Sequence, residues 1–139
     1  MSGPIHLGTS GWPYADCVGP FYPAGTAPSA YLAEFARHFQ AVEVDSTFYR
    51  IPTERMVDGW ARATSAGFLF APKFPQVITH EKHLQGCEPE RDLFLARVER
   101  LGGQARCGAI PIRPMTQDDM REALNLGAER TAESRGGAV

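Results

Sequence analysis

Glu43 and Asp45 stand two residues apart in the run AVEVDS, and Lys73 closes a second apolar run, GFLFAPK. In an extended strand, residues i and i+2 project from one face, so the two carboxyl groups share a side. A carboxylate pair of this kind can divide general-acid and general-base work between its members. The same groups can equally hold loops by accepting backbone hydrogen bonds. Lys73 could form an ion pair with either carboxylate, steady a developing anion or bind phosphate. Arg50, following the aromatic pair Phe48 and Tyr49, could grip an anion or pin its loop. His80 is a candidate acid/base or substrate contact, because imidazole as a class titrates near neutral pH. Ser10, Trp12 and Tyr14 offer hydrogen bonding and stacking at the mouth of a pocket, although Trp12 could instead plug it. His80, His83 and Cys87 imitate metal-ligand spacing but lie in a stretch read as a loop, so no metal is assigned. No GxSxG, GxGxxG or GxxxxGK[ST] pattern is present, and no cofactor is named by the sequence.

These residues need elements to hold them. Ile5 to Ser10 reads as a strand, followed by a loop rich in Pro, Gly and aromatics to about Ala27. Pro28 suits the first position of a helix running to Phe39, with Leu32, Phe35, Ala36 and Phe39 on one face. AVEVDS reads as a strand that turns Val42 and Val44 toward the helices and the two carboxylates the other way. STFYRIP reads as a loop, and Thr53 caps a helix carrying Met56, Val57 and Trp60 until Gly67. GFLFAPK is a third strand; a long loop then leads to a helix from Pro89 with Leu93, Phe94, Val98 and Leu101 inward. Strands alternating with helices imply a parallel sheet. The loops leaving the strands are long and those leaving the helices minimal, which puts the functional face at the strands' C-terminal ends.

The whole chain sets broad limits. Its 139 residues, 43% hydrophobic and 22% charged, suit one modest globular domain. A net charge of -2 gives no general pull toward nucleic acid, so such binding would need a local patch. Cys17, Cys87 and Cys107 are few and scattered, as expected of reduced thiols in the cytoplasm. Neither a signal peptide nor a stretch of about 20 apolar residues is found, so no membrane partner is expected.

In order and spacing, GTSGWPY with GPFYPAGT, AVEVDSTFYRIP and GFLFAPKFPQVITH resemble the N-terminal part of the YecE-like family, also called domain of unknown function 72. The resemblance spans about Ile5 to Gly102. It implies a TIM-type (β/α)8 barrel, of which this chain supplies about three βα units, and no firmly assigned activity. The chain departs from the family at Cys17, where Trp is common, and at Asp45, where Asn is frequent. It departs most after Gly102, where the family's fourth strand is expected and LGGQARCGAIPIRP stands instead. Read from the second codon base, Gly103 to Pro114 can encode nearly that missing strand before a stop across Met115 and Thr116, as expected of a frameshifted or otherwise damaged reading frame. Residues 1–102 are thus expected to be the barrel part and 103–139 an atypical, poorly ordered tail, with a helix over Thr116 to Asn125 as the alternative.

For function, the resemblance and the residues together point to an enzyme acting on a small or phosphorylated substrate. Glu43, Asp45, Lys73 and His80 would be catalytic, and Ser10, Trp12, Tyr14, Tyr49 and Arg50 would bind substrate. The alternative is a nucleic-acid-binding module in which Trp12 and Tyr49 stack on bases beside Arg50 and Lys73. Active sites of barrels draw on many strand ends, so three units alone are expected to lack turnover.

Overall fold

The computed structural model describes residues 5–105. Three parallel strands, β1 (Gly8–Ser10), β2 (Ala41–Val44) and β3 (Leu69–Pro72), form one sheet in the order β1-β2-β3. The register sets Ser10 beside Glu43 and Glu43 beside Ala71, with Thr9, Val42 and Phe70 in the neighbouring row. Each crossover is helical: α1 (Tyr31–Phe35) joins β1 to β2, while α2 (Ser46–Tyr49) and α3 (Glu54–Ala63) join β2 to β3. A fourth helix, α4 (Glu88–Glu99), follows β3. The chain is therefore an α/β protein with a small parallel sheet.

The apolar pattern decides which face is covered. Val42, Val44, Val57 and Phe70 are at most 1% exposed and pack with Leu32, Phe35 and Phe68 into one core between sheet and helices. Successive crossovers of one hand in a sheet ordered 1-2-3 put their helices on the same side. The opposite face is left open as a concavity of about 460 Å³, floored by Gly8, Ala41 and Ala71 and edged by Ser10 and Glu43. Small residues keep it shallow. At Gly8 even a Cβ would collide with the Ala41 carbonyl, so only glycine lets β1 lie against β2 here.

Several boundaries differ from the sequence expectation. β1 is shorter than Ile5 to Ser10: Ile5 is 94% exposed, and the strand starts only at Gly8. The Pro28 segment opens with a 3₁₀ turn over Pro28–Ala30, becomes α-helical for five residues and unwinds at Ala36, still burying Tyr31, Leu32 and Phe35. STFY is a four-residue helix rather than a loop. Thr53 does cap α3, its Oγ1 accepting from the Met56 amide, but the helix stops at Ala63 because Thr64 is already extended. On α4, Phe94 is buried and Leu93 faces outward at 45% exposure, so the inward stripe is narrower than predicted. Val77–Glu81, expected to be a loop, winds as a wide π-helical turn.

At the far end, the buried Gln104 donates its amide to Thr64 Oγ1 (2.8 Å) and the Ser65 carbonyl (2.6 Å). Ala105 then forms a parallel bridge with Phe70, on the free side of β3. Chain packing thus continues past Gly103. The expected tail and its alternative helix over Thr116 to Asn125 lie outside the described residues.

Candidate functional site

The C-terminal ends of the three strands bring four polar side chains together. Lys73 Nζ lies 3.0 Å from Glu43 Oε1 and forms a second, closer ion pair with Asp45 Oδ1. Ser10 Oγ lies 2.9 Å from Glu43 Oε1 and 2.5 Å from Asp45 Oδ2. Its single hydroxyl proton can serve one carboxylate at a time. The alternation that buries Val42 and Val44 is what turns Glu43 and Asp45 to the open face, and one step further along β3 delivers Lys73 beside them. All three charged side chains are between a fifth and a third exposed.

The charges bias one another. Desolvation acts to raise the Asp45 carboxyl, but hydrogen bonds from Lys73 and Ser10 outweigh it and hold the group below its ordinary 3.8. Hydrogen bonds to Asp45 and then Glu43 hold the Lys73 ammonium above its ordinary 10.5. The signs fix a pH window. A depressed carboxylate contributes stability that is complete above its unfolded value and lost as pH falls through its folded value; a raised amine contributes stability that is complete below its unfolded value and lost as pH rises through its folded one. The cluster is therefore expected to support folding most fully between about pH 4 and about pH 10. Urea midpoints across pH for the native chain and for Asp45→Asn check this: the variant should lose the part of the acid limb that Asp45 supplies. Parallel acid limbs would refute it.

Thr47 is a residue the sequence reading passed over. Fully buried at the start of α2, its Oγ1 lies 2.8 Å from the carbonyls of both Val44 and Lys73; its one hydrogen serves them in turn, and when given to Lys73 it links the tops of β2 and β3. It thereby sets the height at which Lys73 meets the carboxylates. Thr47→Val keeps the shape and removes the donor, and should cost about 1–3 kcal/mol in urea unfolding. A change within about 0.5 kcal/mol, as at an ordinary surface position, would deny Thr47 this role. Threonine next to a strand end was the available signal, but only the tertiary pairing shows what it holds.

The other candidates divide. Tyr14 reaches back to donate to the Ser10 carbonyl at 2.8 Å, a path opened by Gly11, whose φ of +74 turns the chain out of β1. Trp12 meets Trp60 edge-on at 5.8 Å and packs against the core, its carbonyl accepting from Tyr22 Oη. Tyr49 is 72% exposed and Arg50 is also exposed, with no ion pair among the described residues. His80 is half-buried on the π-helical turn, with Nδ1 2.7 Å from Thr79 Oγ1 and its ring edge-on to Phe48 at 5.1 Å. Phe48 follows Asp45 by three residues on α2, and no hydrogen bond joins His80 to the cluster among the described residues. His83 sits in left-handed backbone (φ 49) and Cys87 is buried. Among the described residues no three His, Cys, Asp or Glu side chains are grouped to hold a metal ion. No helix described is long and apolar enough to cross a membrane.

A parallel α/β sheet carrying a carboxylate–lysine–serine cluster at its strand ends defines the class of this protein. The chain belongs to the family described as protein of unknown function DUF72, whose model matches residues 6–128, beyond the Gly102 limit of the motif resemblance. It is 39% identical over 70 residues to the UPF0759 protein YecE of Escherichia coli K12, covering 50% of this chain and 26% of that protein. To the UPF0759 protein YunF of Bacillus subtilis it is 35% identical over 91 residues, covering 65% of this chain and 31% of the other. It thus spans about a quarter to a third of the curated relatives it matches. A crystal structure of a DUF72 family protein, EF0366 from Enterococcus faecalis V583, superposes with a TM-score of 0.65 at 19% identity, over 87% of this chain and 45% of that one. That likeness speaks to fold alone.

Proposed function

We propose that residues 1–102 are the opening units of a TIM-type (β/α)8 barrel whose top face is an acid/base enzyme site for a small polar substrate. On this reading 103–139 form a separate segment, although Gln104 and Ala105 pack with the units before them. The observation that carries the proposal is the meeting of Ser10, Glu43, Asp45 and Lys73 at the strands' C-terminal ends, beside an open concavity. Barrel enzymes place their chemistry at that end. Asp45 and Glu43 would exchange a proton with substrate, and Lys73 would bias which of them is ionised. Ser10 would hold the carboxylates or a substrate hydroxyl.

Charge favours a neutral or cationic substrate over a phosphorylated one. A single ammonium faces two carboxyl groups and Lys73 is already engaged by both, so the cluster has no free cation to offer a phosphate. A phosphate would meet repulsion unless Arg50 supplied the opposing charge. The nucleic-acid reading retains only Tyr49 and Arg50, because Trp12 packs into the core and Lys73 is paired. A panel of hydroxylated, amine and phosphorylated small molecules, assayed with a full-length family member carrying the same residues, tests the proposal. Turnover lost in Glu43→Gln and Asp45→Asn supports it. Salt-dependent binding of single strands, without turnover, favours the alternative.

A further inference from the structure

We propose that Thr79 locks His80 as the Nε2–H tautomer, so that this histidine presents a hydrogen-bond donor to a carbonyl or hydroxyl oxygen of the substrate rather than a basic lone pair. This deepens the acid/base reading above and rests on it for the substrate contact. The tautomer itself rests on geometry alone.

The argument is an allocation of one proton. Thr79 Oγ1 has a single hydrogen and two acceptors within reach: His80 Nδ1 at 2.7 Å and the Pro75 carbonyl at 3.5 Å. Hydroxyl hydrogen bonds lie at roughly 2.5–3.0 Å, so the nearer partner receives the proton. The Pro75 carbonyl already accepts from the backbone amides of Ile78 (3.0 Å) and Thr79 (3.3 Å), and needs no hydroxyl. The reverse arrangement, with Nδ1–H donating to Oγ1, would leave the hydroxyl hydrogen only the Pro75 carbonyl at 3.5 Å, beyond normal hydroxyl range, so Nδ1 is assigned as the acceptor and the ring hydrogen to Nε2.

The local fold makes this arrangement rigid. Val77–Glu81 is a π-helical turn in which Lys82 N–H reaches the Val77 carbonyl at 3.0 Å, with Ile78 buried as its anchor. The Phe48 ring meets the imidazole edge-on, at 85°, and restrains its rotation. Phe48 lies on α2, three residues after Asp45, so the short helix that follows the cluster also carries the ring that packs on His80. His80 and the carboxylates together suit a substrate oxygen that gains charge as Asp45 or Glu43 removes a proton from a neighbouring group: the electron pair released by that proton moves onto the oxygen held by Nε2–H, and the proton passes to the carboxylate.

Histidine-selective ¹⁵N labelling reads the tautomer directly. The chain has four histidines, so His80→Gln identifies the His80 signals. In its neutral form, native His80 should show a pyridine-like Nδ1 and a protonated Nε2. Thr79→Val should introduce a detectable Nδ1–H population, and Thr79→Ser should abolish it again. A protonated Nδ1 in the native chain overturns the inference, as does a single unchanged tautomer in Thr79→Val. In a full-length family member with the same residues, His80→Ala should lower turnover roughly a hundredfold, and His80→Gln, which keeps an N–H donor, should restore much of it. Turnover indifferent to His80→Ala would remove the substrate contact while leaving the spectroscopic result standing. Turnover indifferent to both Glu43→Gln and Asp45→Asn would instead sink the carboxylate reading on its own.

Discussion

Phe70→Ala is expected to remove most of the chain's folding stability. The ring is completely buried on β3, lies nearly parallel to Trp60 at 6.2 Å and meets Phe68 edge-on at 5.0 Å. It therefore joins α3 to the sheet and stands in the same row as Val42 and Thr9. Removing a buried phenyl costs about 3–5 kcal/mol, transfer and residual cavity together. Domains of this size hold only about 5–15 kcal/mol in total, and a sheet covered on one face belongs at the low end of that range. The control is Leu93→Ala on α4: at 45% exposure it should change stability by no more than about 0.5 kcal/mol. Urea titrations followed by far-UV circular dichroism compare the two, and equal losses would mean that the core is not where β3 places it.

That pair of leucine and phenylalanine also shows where the sequence was legible. The period-2 alternation of AVEV placed Val42 and Val44 in the core and Glu43 on the other face, and Thr53 marked the start of α3 because a side-chain oxygen there can satisfy an amide of the first turn. On α4 the periodicity was ambiguous. Leucines at 93 and 95 flank Phe94, and a helix cannot bury three consecutive residues against one neighbour, so packing had to choose. The short helix at STFY was hidden for a different reason. Four residues cannot nucleate a helix by themselves, and this one exists because Thr47 is drawn down to the carbonyls of Val44 and Lys73.

The site was readable in the same uneven way. Two carboxylates at i and i+2 and a lysine ending the next strand announced themselves through strand geometry. The partnership of Ser10 with both carboxylates depended on the register between β1 and β2, which no local pattern fixes. Trp12 looked like a stacking platform because it is aromatic and sits in a loop at a strand end. Its partner turned out to be Trp60, 48 positions along the chain on α3.

Asp45→Asn, in a full-length family member with the same four residues, is expected to reduce turnover by about 10²–10⁴-fold while leaving the protein folded at neutral pH. The asparagine keeps the size of the side chain and can still accept from Lys73 through its one oxygen, while its amide nitrogen can only donate toward Ser10, and it cannot take a proton at ordinary pH. If the proton transfer runs through Asp45, kcat and kcat/KM should fall together, because the lost interaction belongs to the transition state. Asp45, held below its ordinary 3.8, is ionised throughout the neutral range and so can accept a proton, while the hydrogen bonds that hold it there also make it a weaker base than a free carboxylate. Glu43→Gln separates the partners: if Glu43 mainly tunes Lys73, its removal should lower kcat less than Asp45→Asn does. A purely structural role for Asp45 predicts something else: since its loss lowers the urea midpoint on either reading, the distinguishing result is full turnover below the lowered midpoint. Measuring both quantities on the same preparations decides between them, and undiminished kcat in folded Asp45→Asn would take Asp45 out of the chemistry.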